Sequence, residues 1–148
     1  MLVELRVRDL GVIHDLTIDL AEGLTALTGE TGAGKTLVVE AIELLVGGRS
    51  DPVLVRPGAD EATVEGRFVV GDGEGGREVV LARTVLASGR SRASIDGRMT
   101  TVSALAEEGA ALVDLHGQHA HQSLLRAGAQ RQSLDVFAGI DLGPLREA

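Results

Sequence analysis

Residues 29–36 read Gly-Glu-Thr-Gly-Ala-Gly-Lys-Thr and match the phosphate-binding pattern G-x-x-x-x-G-K-[ST] in full. Glycines let the backbone approach an anion closely, and the amides of residues 32–36 then point inward as a nest for anionic oxygens. Lys35 would place its charge on the β- and γ-phosphates, and Thr36 would offer its hydroxyl to Mg²⁺. The predicted nucleotide-binding residues are Gly29, Glu30, Thr31, Gly32, Ala33, Gly34, Lys35 and Thr36.

The segments on either side of this motif are those that a phosphate-binding loop requires. Residues 24–28 are a short apolar run and predict a buried strand that leads into the loop. Residues 35–46 are apolar nearly all round, apart from Glu40 and Glu43, and predict a buried helix. Gly47 and Gly48 end that helix. This context favours a working loop over a glycine-rich turn that matches the pattern by chance.

The rest of the chain predicts a sheet whose strands are mostly joined by tight turns. Alternating residues predict strands at 2–8, 12–20, 61–70, 77–86 and 92–95. A helix is predicted at 101–108, capped by Thr100 or Thr101, followed by a short buried strand at 110–115. Two further helices are predicted at 123–126 and 130–137. This order predicts an α/β domain with an antiparallel sub-sheet.

Composition limits the possible functions. The 148 residues suffice for one domain, and the chain has no cysteine, so it has neither disulfides nor a thiolate site. The lack of cysteine fits a cytoplasmic protein. Glu4 and Asp9 interrupt the N-terminal apolar stretch, so we expect no signal peptide, and no apolar run is long enough to span a membrane, so we expect no membrane partner. With a net charge of −8, any contact with DNA should be local or made by other parts of the protein.

Two classes of nucleotide-binding protein are disfavoured by single residue types. Lys35 is the only lysine, so the chain cannot contain the Asn-Lys-x-Asp segment of guanine-specific GTPases. No aromatic residue precedes Phe68, so the chain lacks the aromatic that transporter ATPases usually stack on adenine ahead of the loop.

Four further segments, with the loop, make the chain resemble the RecN family of bacterial DNA-repair ATPases, which is related to SMC proteins. They are residues 5–13, residues 47–49 with 55–59, Gly-Arg-Ser-Arg at 89–92 with Ile-Asp-Gly-Arg at 95–98, and Leu-His-Gly-Gln-His-Ala-His-Gln at 115–122. The resemblance covers nearly the whole chain. It implies a P-loop NTPase fold of the ABC-type ATPase head, with residues 1–148 as the N-terminal half.

The same resemblance implies a function and partners. The complete protein would use ATP and Mg²⁺ in repair and recombination of DNA double-strand breaks, at the nucleoid. Its partners would be the C-terminal half of the same head, a second head in a homodimer, and DNA.

Within the resemblance, residues 115–122 correspond to the Q-loop. Gln118 would then reach Mg²⁺ and the attacking water, and Gln122, one helical turn later, is the second choice. The chain contains no Leu-Ser-Gly-Gly signature, no hydrophobic strand that ends in Asp-Glu and no long heptad run. We therefore expect a fragment that hydrolyses almost no ATP by itself.

Other interpretations remain open at this point. Asp114 ends an apolar run as a Walker B aspartate would, which would make the chain a compact NTPase or kinase. A third hypothesis is an interaction module with a vestigial nucleotide site, although the complete loop argues against it. His116, His119 and His121 could bind a metal, but loop histidines that border the nucleotide pocket are the simpler interpretation.

Basic residues concentrate in one part of this acidic chain. Residues 77–98 carry a net charge of +3, and Arg90, Arg92 and Arg98 would form either a solvated hairpin face or a ridge that contacts DNA phosphates. Arg49 and Arg56 follow the predicted loop helix. They would contact nucleotide, a partner head or nearby carboxylates, and the sequence does not decide among these.

Overall fold

The computed structural model describes residues 1–29, 34–71 and 76–115. Residues 1–113 form one compact unit, and residues 114–148 form a second, of which only Asp114 and Leu115 are described. The elements of the first unit are β1 (Leu2–Leu10), β2 (Ile13–Asp19), α1 (Lys35–Leu45), a 3₁₀ turn (Pro52–Leu54), β3 (Glu61–Val70), β4 (Arg77–Leu86), β5 (Ser91–Ile95), β6 (Arg98–Thr100) and α2 (Val102–Leu112).

The six strands form one sheet in the order β2-β1-β3-β4-β5-β6, and every neighbouring pair is antiparallel. Side chains alternate between its two faces, since successive residues of a strand point to opposite sides. On one face, Leu5 lies opposite both Ile18 of β2 and Gly66 of β3. The alternation that predicted five strands is therefore confirmed as an antiparallel sheet with one apolar face.

The core lies between that apolar face and the helices. Its largest fully buried side chains are Phe68, Leu5, Leu10, Leu44, Leu45, Leu81 and Leu105. Helix α1 contributes Val38 and Ala41 as well, but Val39 on its other side is 46% exposed. The prediction of a helix is confirmed, whereas the expectation that it is buried on all sides is wrong within the described residues.

Two predicted strands are not strands. Residues 24–28 lack regular structure, and Leu24 is 98% exposed. Residues 110–112 are the last turn of α2, and residues 113–115 are irregular. A strand needs neighbours for its backbone hydrogen bonds, and no described strand pairs with either segment.

The β5–β6 hairpin and the start of α2 are set by local chemistry. Asp96 and Gly97 both have positive φ, as the two central residues of a type I′ hairpin turn require. Strand β6 was not predicted because its three residues are too few to show a period. The Thr101 side chain accepts a hydrogen bond from the Ala104 amide at 3.1 Å, which confirms Thr101 as the cap of α2.

Arg83 on β4 is the one buried charged residue among those described. It shares the apolar face with Leu81 and Val85, opposite Val64 on β3 and Ala93 on β5. Only 2% of Arg83 is exposed, and its Nε and Nη1 atoms have no hydrogen-bond partner among the residues that the structure describes. Burial lowers the pKa of its guanidinium. A buried cation without an anion opposes folding.

We therefore expect Arg83→Met to stabilise this chain by about 1–3 kcal/mol, because it removes unsatisfied donors and keeps an unbranched side chain in the space. The free energy of unfolding from urea titration measures this. Arg92→Met, at an exposed site on the neighbouring strand, is the matched control and should change stability by less than about 0.5 kcal/mol. A clear loss of stability in Arg83→Met would show that the guanidinium has a native partner.

Candidate nucleotide-binding site

The two ends of the predicted phosphate-binding loop are described, and its middle is not. Gly29 and residues 34–36 are in the structure, while Glu30, Thr31, Gly32 and Ala33 lie outside the described residues. Lys35 is the first residue of α1, and its Nζ donates a hydrogen bond to the carbonyl of Gly29. The amine thus reaches across the loop to its first residue, where it would meet the phosphates of a nucleotide held by the loop.

Gly34 places the start of α1 against the loop. It is the N-cap of the helix, with φ of 91°, a left-handed conformation that favours glycine. No described side chain makes a capping hydrogen bond at this end, and no acidic residue lies in the first turn of α1. The first amides of α1 and the positive end of its dipole are therefore suited to an anion.

Thr36, the predicted Mg²⁺ ligand, is exposed in the first turn of α1. Mg²⁺ prefers oxygen ligands and usually keeps waters and substrate phosphates, with only one or two protein ligands. The single hydroxyl of Thr36, beside a phosphate-binding loop, is consistent with this coordination. Among the described residues, no group of three or more histidine, cysteine, aspartate or glutamate side chains is placed to hold a metal ion.

The turn between β1 and β2 forms one wall beside Gly34. A Cβ atom placed on Gly34 would lie 3.8 Å from Cγ1 of Ile13 and 3.9 Å from Cγ2 of Val12. The Arg56 guanidinium holds this turn, because its Nη1 donates to the Val12 carbonyl at 2.9 Å. Sequence reasoning missed this wall, and only the Val12-Ile13 part of the 5–13 resemblance pointed toward it.

The observed partner of the Arg56 side chain is thus the Val12 carbonyl, which was not among the partners that the sequence suggested. Arg49, by contrast, is exposed and makes no hydrogen bond or ion pair among the residues described.

Other predicted site residues fall outside this arrangement or outside the described residues. Asp114 is exposed and lies beyond the end of α2, so the strand that a Walker B assignment needs is not present there. Gln118 and Gln122, the two candidates for the Q-loop glutamine, lie outside the described residues. The same holds for His116, His119 and His121.

The three arginines proposed for DNA do not share one face of the sheet. Arg92 pairs with Thr84, whereas Arg98 pairs with Ile95. Residues 92 and 95 are an odd number of positions apart, so Arg92 and Arg98 point to opposite faces. Arg90 lies in the exposed turn before β5.

Other arginines on the face of Arg92 have carboxylate partners. Arg67 donates to Glu4 at 3.1 Å and Glu78 at 3.3 Å, and the hydrogen bond to Glu4 raises the pKa of its guanidinium. Arg8 lies 3.6 Å from Asp15. Much of the positive charge on this face is therefore neutralised within the sheet.

Comparison with solved structures defines the class. The head domain of Smc from Pyrococcus yayanosii, with a coiled coil and joint, is 24% identical with a TM-score of 0.67, over 93% of this chain and 32% of that chain. An SMC ATPase structure from work on ATP-driven dimerisation and DNA-stimulated activation is 22% identical with a TM-score of 0.66, over 91% of this chain and 96% of that chain. With the loop at the start of α1, this is the fold of a P-loop, ABC-type ATPase head, in its N-terminal lobe.

Sequence comparison then gives the family. The AAA domain family matches residues 4–118, and the chain belongs to it. The predicted resemblance to RecN is confirmed: the DNA repair protein RecN of Streptomyces coelicolor is 50% identical over 95% of this chain, and that of Bacillus subtilis is 40% identical over 96%. The chain spans 27% of the length of each of these relatives.

Within the described residues, no helix is long and apolar enough to cross a membrane.

Proposed function

We propose that this chain is the ATP-binding lobe of a RecN-like, SMC-family ATPase that acts in DNA double-strand break repair and recombination. The observation that carries the proposal is the Lys35 amine, which bridges from the start of α1 to Gly29 at the opposite end of a complete phosphate-binding motif. RecN relatives of up to 50% identity support the repair function. The site would lie in the cytoplasm, at the nucleoid.

The proposed cofactors are ATP and Mg²⁺. Residues 29–36 would hold the phosphates, Lys35 would neutralise charge that develops during transfer, and Thr36 would bind the metal through its hydroxyl. Gln118 is the proposed second Mg²⁺ ligand, which would also orient water. The Asp114 alternative has lost the strand that motivated it, because α2 continues to Leu112.

The proposed protein partners are the C-terminal half of the same head and a second head. Leu24 is 98% exposed and Leu27 is 51% exposed, immediately before the loop. Exposed apolar side chains of this kind are suited to burial against another part of the complete head. The SMC ATPase that this fold matches comes from work on ATP-driven dimerisation, which supports a paired head here as well.

DNA is proposed as a partner of the complete protein, with Arg90, Arg92 and Arg98 as candidate phosphate contacts. Arg92 and Arg98 point to opposite faces of the sheet, so a DNA duplex that lay on one face could not contact both side chains. The exposed turns at Arg90 and at residues 96–98 would instead meet DNA at the edge of the sheet. Phosphate contacts of this kind weaken with salt.

This chain by itself should bind nucleotide weakly and turn over almost none. The sequence lacks the catalytic carboxylate of an Asp-Glu pair, and it also lacks the signature motif, which a partner head would supply. Charge in the transition state would therefore be only partly stabilised. Steady-state phosphate release measures this. Robust turnover that Asp114→Asn abolishes would instead support the compact enzyme.

A further inference from the structure

The β1–β2 turn packs directly on the beginning of α1. Its Val12 and Ile13 side chains lie in van der Waals range of a Cβ placed on Gly34. One residue earlier, a Cβ on Gly11 would come within 2.8 Å of Cδ1 of Leu37, so backbone and helix side chain are already in close approach. The turn therefore cannot move toward α1 without displacing the start of that helix.

The opposite side of the same turn is held by residues 54–56. The Gly11 amide donates to the Leu54 carbonyl at 2.7 Å, and the Arg56 amide donates to the Asp9 carbonyl at 2.8 Å. These two bonds make Leu10 and Val55 an antiparallel bridge pair. The third contact is the bond from Arg56 Nη1 to the Val12 carbonyl, and it is the only one of the three made by a side chain.

Each of these contacts restrains a different part of the turn. The backbone bonds hold residues 9–11, next to the fully buried Leu10. Val12 is 67% exposed, and its carbonyl precedes the first residue of β2, so burial and sheet pairing do little to fix it. The planar guanidinium of Arg56 gives that carbonyl a directed donor.

We propose that Arg56 is a positioning residue for nucleotide binding, which holds the Val12 carbonyl and so keeps the β1–β2 turn pressed against Gly34 and the first turn of α1. This rests on the proposed function of the phosphate-binding loop. The side chain acts through the turn and not by contact with the nucleotide.

The first test needs no nucleotide. In Arg56→Ala, amide hydrogen exchange should become about tenfold faster at Gly11 and at Val38, whose amide makes the first bond of α1 to the Gly34 carbonyl. Amides of the β3–β4 ladder should keep their rates. Arg56→Lys should recover most of the protection, since an ammonium can make one bond to the carbonyl. Arg49→Ala, at an exposed arginine, is the matched control and should exchange as the unaltered chain does.

The second test measures binding of ATP and of ADP to the same variants. Arg56→Ala should weaken both by the same factor, about three- to tenfold, because the loop holds the β-phosphate that the two share.

Loss of ATP affinity with unchanged exchange would overturn the proposal in favour of direct contact. Faster exchange throughout the sheet would overturn it in favour of a general structural role. If the unaltered chain binds neither nucleotide, the proposed function fails, while exchange at Gly11 and Val38 still decides whether Arg56 holds the turn.

Discussion

Lys35→Ala should reduce the affinity of this chain for ATP by about 10- to 100-fold, the size expected when a charged hydrogen bond is lost. Lys35 is the only lysine, and its amine already reaches across the loop to Gly29. Among the described residues, no other cationic side chain makes a hydrogen bond to Gly29 or Gly34. The phosphate charge would then be met only by backbone amides and the helix dipole, which are weaker partners than an ammonium. Isothermal titration calorimetry measures the change.

The fold should survive that substitution. Lys35 opens α1, and alanine is the strongest helix former, so thermal unfolding in the absence of nucleotide should be nearly unchanged. Arg77→Ala is the matched control: Arg77 is exposed on β4 and pairs with Glu108, and its loss changes the net charge by the same amount. Equal ATP affinity in Lys35→Ala and the unaltered chain would refute the assignment of the loop.

Gln118→Ala, made in the complete protein, should lower the rate of ATP hydrolysis by about 100-fold, as the loss of one transition-state donor commonly does. ATP affinity should fall much less, because the phosphate-binding loop supplies most of the charge that the nucleotide meets. A glutamine offers a carbonyl for Mg²⁺ and an amide for water, which suits orientation of the reaction more than binding of the substrate. Single-turnover kinetics with separate binding measurements distinguish the two effects.

Gln122→Ala is the matched comparison for this variant, since the same side chain is removed four residues later. We expect a smaller loss of rate. Normal turnover in Gln118→Ala with a large loss in Gln122→Ala would move the Q-loop role to Gln122. Normal rates in both would show that residues 115–122 are structural.

Strand prediction worked where the apolar pattern was long and regular. Residues 61–70 and 77–86 match β3 and β4 at both ends, because ten alternating residues distinguish a two-sided strand from a helix. Residues 24–28 and 110–115 are short apolar runs without a period. A short run of this kind is compatible with a buried strand, with part of a helix, or with an exposed irregular segment, so its sequence does not decide among them.

The sequence by itself determined the phosphate-binding motif, the presence of antiparallel strands and the RecN resemblance, because these depend on residue type at fixed spacing. Only the tertiary structure decided where the remaining arginines act. Arg56 bonds to Val12, 44 positions away in the chain, Arg83 is buried on the apolar face of the sheet, and Arg92 and Arg98 are placed on opposite faces by the strand register. An arginine is long and suits ion pairs, carbonyls and phosphates equally, so its role depends on which partners the fold brings within reach.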